Sequence, residues 1–311
     1  MNKNGFLFTE NTDINRRLWD ETIKQSKYGN IFSLSVYLDA VSPGWCALIK
    51  SGYSAVFPLP EKKKVGITYI SQPFFNQQLG LFSLAEPEES DWNFCLNFLH
   101  SHYKIINLNL PFAAKTIASK TGFKIKQHNN YVLDLSNEYT AIKLRYSTNQ
   151  KRNIQKSQIS ELQIVQTENY SLLLDLFRQN KGAEISFLND EHYSVIEKLI
   201  RKLQELKFAK IECAFHEEQA VAGILWIEWK NRTVFLFSAV STAGKQLHAM
   251  SHLVDNYIKR NAKTDTILDF EGSDNESLSR FYKSFGAELK PYISIESTAR
   301  YWFQKLKNLL G

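Results

Sequence analysis

The residues Asn275-Glu-Ser-Leu-Ser-Arg-Phe-Tyr282-Lys-Ser-Phe-Gly286-Ala287 follow closely on the apolar run Ile267-Leu-Asp-Phe-Glu271, and together they read as a strand leading into a short helix. Gly286 suits a helix stop, because glycine enters the left-handed cap without a Cβ penalty. Before it Leu278, Phe281, Tyr282 and Phe285 recur at helical spacing. The arrangement occurs a second time: Gly122 closes a short helix over 113–121, which follows the apolar run Ile105-Ile-Asn-Leu-Asn-Leu110 and Pro111. Each glycine is followed by two extended segments. Two copies of one α/β module are the simplest account; a chance use of glycine as a common helix stop is the alternative.

The rest of the chain falls into place around these units. Helices are predicted over 13–26 and 89–103, and strands over 45–49, 54–59, 66–71, 123–126 and 130–135, with the charged run Glu61-Lys-Lys-Lys64 as a turn. In the second half, helices are predicted over 170–181, 190–206, 245–261 and 276–285, with strands over 209–215, 221–229, 233–240, 266–270 and 293–296. Tyr193, Ile196, Ile200 and Leu203 make one apolar stripe. The join lies within 138–161, giving modules 1–140 and 141–311.

The strand-helix unit with Asn275, Tyr282 seven residues on and Gly286 four beyond resembles the last such unit of the GNAT acyltransferase superfamily. The phrases FLFSAVSTAGK (235–245), HAMSHLVD (248–255) and ILDFEGS (267–273) are similar to bacterial acyltransferase-type proteins with two GNAT modules, related to the Fem-type peptidoglycan aminoacyltransferases. As architecture the resemblance covers nearly the whole chain, and as motif only about 234–286. It implies an α/β (α+β) fold of two tandem GNAT-like modules sharing a central cleft, each a mixed, mostly antiparallel sheet flanked by helices. It further implies an N-acyltransferase, moving an acyl or aminoacyl group to an amine or hydroxyl of a cell-envelope or polysaccharide precursor. The alternative is a catalytically silent pair that binds an anionic partner.

Acyl transfer passes through a tetrahedral oxyanion, so it needs backbone donors at a parted strand end, a base for the nucleophile and an acid for the leaving group. By the resemblance the acid is Tyr282, although its ring could equally complete an apolar helix face. Glu271 shares a strand face with Asp269 by period-two alternation and falls at the carboxyl end, where it is the candidate to orient or deprotonate an amine; a solvated strand-end carboxylate is the other reading. Four residues before Gly122 stands Ala118, so the first module is expected to serve as scaffold or acceptor-binding half.

The resemblance places donor binding at Ser238, Val240, Gly244, Lys245 and Asn275. In CoA-dependent members glycines in the loop into the long helix expose amides to the pyrophosphate. Here Lys245, His248 and Met250 take those positions, which weakens the case for acyl-CoA and leaves aminoacyl-tRNA or acyl carrier protein as alternative donors.

Composition narrows the remaining classes. With 311 residues, 43% of them hydrophobic and 23% charged, the chain can bury a full core, and disordered or fibrous classes are excluded. The 38 Lys and Arg against 32 Asp and Glu give a charge of +6, enough to favour anionic partners without naming one. Cys46, Cys95 and Cys213 are isolated, so no disulfide framework or cysteine zinc site is expected, and a reducing cytoplasm fits. His248 and His252 stand four apart but no Glu follows and no third ligand is evident, so no metal is expected.

The basic stretch from Lys143 to Lys156, with Arg145, Lys151 and Arg152, is a candidate phosphate-binding segment or a solvated helix face. It has too little aromatic interleaving for a DNA-binding surface. Gln72, Gln77 and Gln78 are candidate acceptor-groove residues or a polar turn. The amphipathic, basic tail over 301–310 is expected to pack back on the second module rather than touch a membrane.

Overall fold

Pro60 divides what would otherwise be one long strand, because proline offers no amide to a sheet ladder, and the topology of the first half turns on it. A computed structural model of the chain describes residues 5–185, 188–272 and 274–297. They form two units: one runs to His128 and resumes at Pro291, and the other spans Asn129 to Lys290.

The first unit contains β1 (Phe6–Thr9), α1 (Arg16–Gln25), α2 (Ser35–Val41), β2 (Cys46–Lys50), β3 (Ala55–Leu59), β4 (Glu61–Lys64), β5 (Ile67–Ser71), β6 (Phe82–Ser83), α3 (Glu89–His102), β7 (Ile106–Pro111), α4 (Lys115–Ser119) and β8 (Lys124–His128). The second contains β9 (Tyr131–Asp134), α5 (Tyr139–Leu144), α6 (Thr148–Ile159), β10 (Gln163–Thr167), α7 (Tyr170–Gln179), α8 (Asp190–Glu205), β11 (Ala209–His216), β12 (Gln219–Trp229), β13 (Arg232–Val240), α9 (Thr242–Gln246), α10 (Ala249–Asn261), β14 (Ile267–Asp269), α11 (Glu276–Ser284) and β15 (Glu288–Leu289). The last strand, β16 (Tyr292–Glu296), returns to the first unit.

The second unit is one sheet in the order β10-β11-β12-β13-β14-β9-β15. The first unit has two sheets, β1-β2-β3-β6 and β4-β5-β7-β16-β8. With β3 and β4 read as one strand broken at Pro60, the first unit's order becomes β1-β2-β3/β4-β5-β7-β16-β8. It then matches the second strand for strand, apart from the added β6. The fourth and fifth strands are the parallel pair in each unit, β5 with β7 and β13 with β14. The glycines that suggested the duplication close the equivalent helices with left-handed φ values of 79° at Gly122 and 77° at Gly286.

Two expectations are corrected. The module boundary at 140 gives way to one at 128/129, because β9 pairs with β14 and β15 of the second unit while β16 inserts between β7 and β8 of the first. Each unit thus takes its sixth strand from the other half of the chain, which periodicity cannot show because it is silent on pairing partners. The run Glu61 to Lys64 is a strand, and the turn is Val65-Gly66, both at positive φ (49° and 75°), as a tight two-residue hairpin requires.

The second unit's core gathers Trp226, Phe235, Leu253, Tyr257, Phe270 and Phe285. In the first, the Trp19 and Trp45 rings meet at 4.6 Å, and both are fully buried, as are Tyr37 and Leu48. Each such side chain contributes about 1.5–3 kcal/mol of burial. Among the described residues no helix is long and apolar enough to cross a membrane. The tail over 301–310 lies outside the described residues.

Candidate functional site

A parallel pair of strands opens in the second unit. β13 and β14 pair at Arg232–Ile267, Thr233–Leu268 and Val234–Asp269, and there the ladder ends, although β13 continues to Val240. The cause is local. Against β12, Trp226 faces Phe235 and Leu225 faces Phe237, so Leu236 is an extra residue two positions past the last pair, and such a bulge bends its strand. On the other side the chain leaves β13, since the Phe270 amide donates to the Tyr131 carbonyl at 2.9 Å. Ser238 and Val240, both expected at the donor site, stand half-buried on the diverging part of β13.

At this opening Glu271 lies near enough to Tyr282 for its charge to act on the phenol. Tyr282, on α11, is 6% exposed, its ring stacked on Phe270 at 4.9 Å and edge-on to Phe235 at 6.1 Å. Its hydroxyl pairs with none of the described residues and is not one of the atoms sealed from solvent without a partner. Burial first, and then the charge of Glu271, push the phenol further up, so it stays protonated and can only give a proton near neutral pH. Glu271 is enclosed by protein yet not sealed from solvent, and burial, then the Asp269 charge, hold its carboxyl well above the usual carboxylate range.

The expected shared strand face of Asp269 and Glu271 is not found. β14 ends at Asp269, and Glu271 sits beyond it in a left-handed turn with φ of 59°. Sequence reasoning missed Arg232 and Asp269 as parts of the site. No spacing signal links them, because they meet only through the register of β13 on β14.

At the other end of β13 the chain enters α9, where Ser241 Oγ accepts the Gly244 amide at 3.0 Å and Ser241 O accepts that of Lys245, also at 3.0 Å. The helix expected over 245–261 is broken at His248 (φ 54°) into α9 and α10, because α9 packs tightly on β12 before the chain turns. Gly244 makes that packing possible: a Cβ there would lie 2.1 Å from the Val221 carbonyl oxygen. Gly244→Ala is therefore expected to cost about 1–3 kcal/mol by forced displacement, measured as urea unfolding; an unchanged midpoint would show that α9 is free to move. Lys245 is exposed and adds a little to the lowering of the Glu184 carboxyl that its hydrogen bond with Lys181 chiefly causes. Asn275, expected at the donor site, is the N-cap of α11, its Oδ1 accepting the Ser277 and Leu278 amides at 3.0 and 3.2 Å.

The other candidates are mostly committed within the fold. Arg145 donates to Gly286 O at 2.9 Å and Glu288 at 3.0 Å, and Lys151 to Leu144 O at 3.0 Å. Arg152 is exposed and has no partner among the described residues. His252 bonds Ser157 at 3.2 Å.

Gln72, expected in an acceptor groove or a polar turn, is tied into the loop by its own hydrogen bonds. Its Nε2 donates to Asn76, its Oε1 accepts the Asn109 amide at 2.9 Å, and its own amide donates to Asn107 O at 2.7 Å. Asn109 in turn donates to Gln77 O at 2.7 Å and accepts the Leu79 amide at 3.0 Å. Gln77 is buried, and Gln78 is half-buried and donates to it. This loop keeps the chain fastened to β7 beyond β5, so the place where strands part in the second unit is filled in the first. At Tyr282's equivalent stands Ala118, fully buried.

No family model matches the chain, and no curated protein does. Solved structures do. A structure described as FemX superposes with a TM-score of 0.66 at 14% identity, covering 93% of this chain and 98% of its own. L-PGS from Bacillus licheniformis gives 0.55 at 11%, covering 92% of each chain. A tandem GNAT protein from the clavulanic acid biosynthesis pathway gives 0.51 at 10%, covering 94% and 98%. The chain has a tandem GNAT-like fold related to that of FemX.

Proposed function

We propose that the second unit is an acyl- or aminoacyl-transferase acting on an amine or hydroxyl of a cell-envelope or polysaccharide precursor. The observation that carries this reading is the nearness of Glu271 to Tyr282 where β13 and β14 part. The donor's acyl carbonyl lies in the gap between the strands, where the unladdered backbone of β13 offers amides to the oxyanion. Glu271 takes the proton of the acceptor amine or hydroxyl as it attacks the carbonyl carbon. The tetrahedral intermediate collapses with cleavage of the bond to the carrier, and Tyr282 gives its proton to the departing oxygen or sulfur. The fold shared with FemX, L-PGS and a tandem GNAT protein supports the class.

The loop into α9 argues on the donor. A CoA pyrophosphate needs unpaired helix-terminal amides, and Ser241 Oγ already takes that of Gly244. Together with the missing glycines of the loop, this favours an acyl or aminoacyl group carried by tRNA or by an acyl carrier protein, with Arg152 available to a phosphate. The test offers the purified protein aminoacyl-tRNA, acyl carrier protein thioesters and acyl-CoA, each radiolabelled, with a pool of envelope precursors. Transfer from one of the first two, reduced by Arg152→Ala, is the expected result. Submicromolar CoA binding indifferent to Lys245→Ala overturns the donor assignment. Binding of an anionic partner without transfer from any donor favours the silent pair.

A further inference from the structure

Glu271 occupies a backbone position that does not suit it. Its φ is 59° and that of Gly272 is 73°, two successive left-handed residues. Gly272 is there by necessity, since a Cβ would lie 2.1 Å from the Asn129 carbonyl oxygen. Glu271 has no such licence: a residue with a Cβ resists this conformation unless its surroundings hold it.

Asp269 supplies the holding contacts. It is the last residue of β14 paired to β13, opposite Val234, and so marks the apex where the strands part. Its side chain is 3% exposed and both oxygens are committed: Oδ1 accepts the Glu271 amide at 2.9 Å, closing an Asx-type turn, and Oδ2 accepts from Arg232 at 2.5 Å. One buried carboxylate therefore ties β13, β14 and the turn together. We propose that Asp269 is a positioning residue, which through its bond to the Glu271 amide and its tether to Arg232 holds the left-handed turn that presents the Glu271 carboxyl beside Tyr282. This deepens the transferase reading of the site and rests on it for the use made of Glu271.

The charged and titratable groups around Glu271 are Asp269 from β14 and Tyr282 from α11, with Arg232 of β13 reaching it through Asp269. Asp274, beyond the turn, accepts the Asn129 amide. The negative charge of Asp269 opposes ionisation of Glu271, in line with its raised carboxyl. Asp269→Asn keeps an oxygen for the Glu271 amide and removes the charge, whereas Asp269→Ala removes both.

The test is carbon NMR titration of protein labelled at the glutamate carboxyls, with the Glu271 signal identified by its loss in Glu271→Gln, together with amide exchange at Glu271. Asp269→Asn is expected to lower the Glu271 midpoint by about one pH unit, a tenfold change in the ionisation constant, and to leave its amide exchange nearly unchanged. Asp269→Ala is expected to speed that exchange at least tenfold. Should neither Asp269 variant fold, Arg232→Gln, at a half-exposed arm, is expected to raise the midpoint by leaving the Asp269 charge uncompensated. The proposal is overturned if the Glu271 midpoint ignores the change tested, or if Asn and Ala speed exchange equally. No substrate enters these measurements, so loss of the transferase reading leaves their outcome standing, and the reverse also holds.

Discussion

Tyr282→Phe is expected to lower turnover by about a hundredfold or more, the usual contribution of a general acid, while leaving thermal stability and donor affinity nearly unchanged. The ring would keep its stack on Phe270 and its edge contact with Phe235, so the helix α11 would lose no packing. Removing the hydroxyl orphans nothing, since it pairs with none of the described residues. Rate and stability should therefore separate, as measured by transfer kinetics beside a melting curve. A variant that melts markedly earlier and whose folded fraction turns over normally would make the hydroxyl structural and end its catalytic assignment.

Glu271→Gln should have an effect of similar size on turnover, about a hundredfold or more for loss of the base, with the opposite effect on stability. The carboxyl's pKa is raised in the folded protein, chiefly by burial and then by Asp269. Its favourable neutral form is fully present below the unfolded value of about 4.3, and stability is lost as pH rises from there through the folded value. The amide cannot ionise, so the variant should gain on the wild type across that window and keep the gain above it. Glu271→Gly should add about 1 kcal/mol more by releasing the left-handed backbone. Urea unfolding at pH 4 and pH 8 reads both effects, and the activity of the wild type should rise with pH above the ordinary glutamate range. Equal stability of wild type and Glu271→Gln at both pH values would refute the enclosed-carboxyl account.

Much of the site was legible in local pattern. Gly286 stops α11 at a left-handed φ that a residue without a Cβ takes freely. Tyr282 and Phe285 of the apolar spacing are buried, whereas Leu278 is 46% exposed. What escaped were features made by pairing. The helix break at His248 follows from how closely α9 approaches Val221. Gln72 reads as a groove residue or a polar turn because a free polar side chain and one spent on Asn76 and Asn109 have the same sequence. Elements with weak periodicity were also missed: β1, α2 and β10, and α6, whose basic run was left open between binding segment and solvated helix, proves to pack Ile154 and Gln150 inward.

By itself the amino-acid sequence determined the two-fold repeat, the order of strands and helices around Gly122 and Gly286, and the residue types that acyl transfer asks for. These depend on interactions a few residues long: caps, stops, apolar periods. The tertiary structure alone decided that β9 and β16 cross to the other unit, that the bulge at Leu236 parts β13 from β14, and that Asp269 with Arg232 holds Glu271 in a left-handed turn beside Tyr282. Each of these rests on hydrogen bonds or packing between segments far apart in the chain, whose partners are chosen by the free energy of the whole sheet and leave no local period to read.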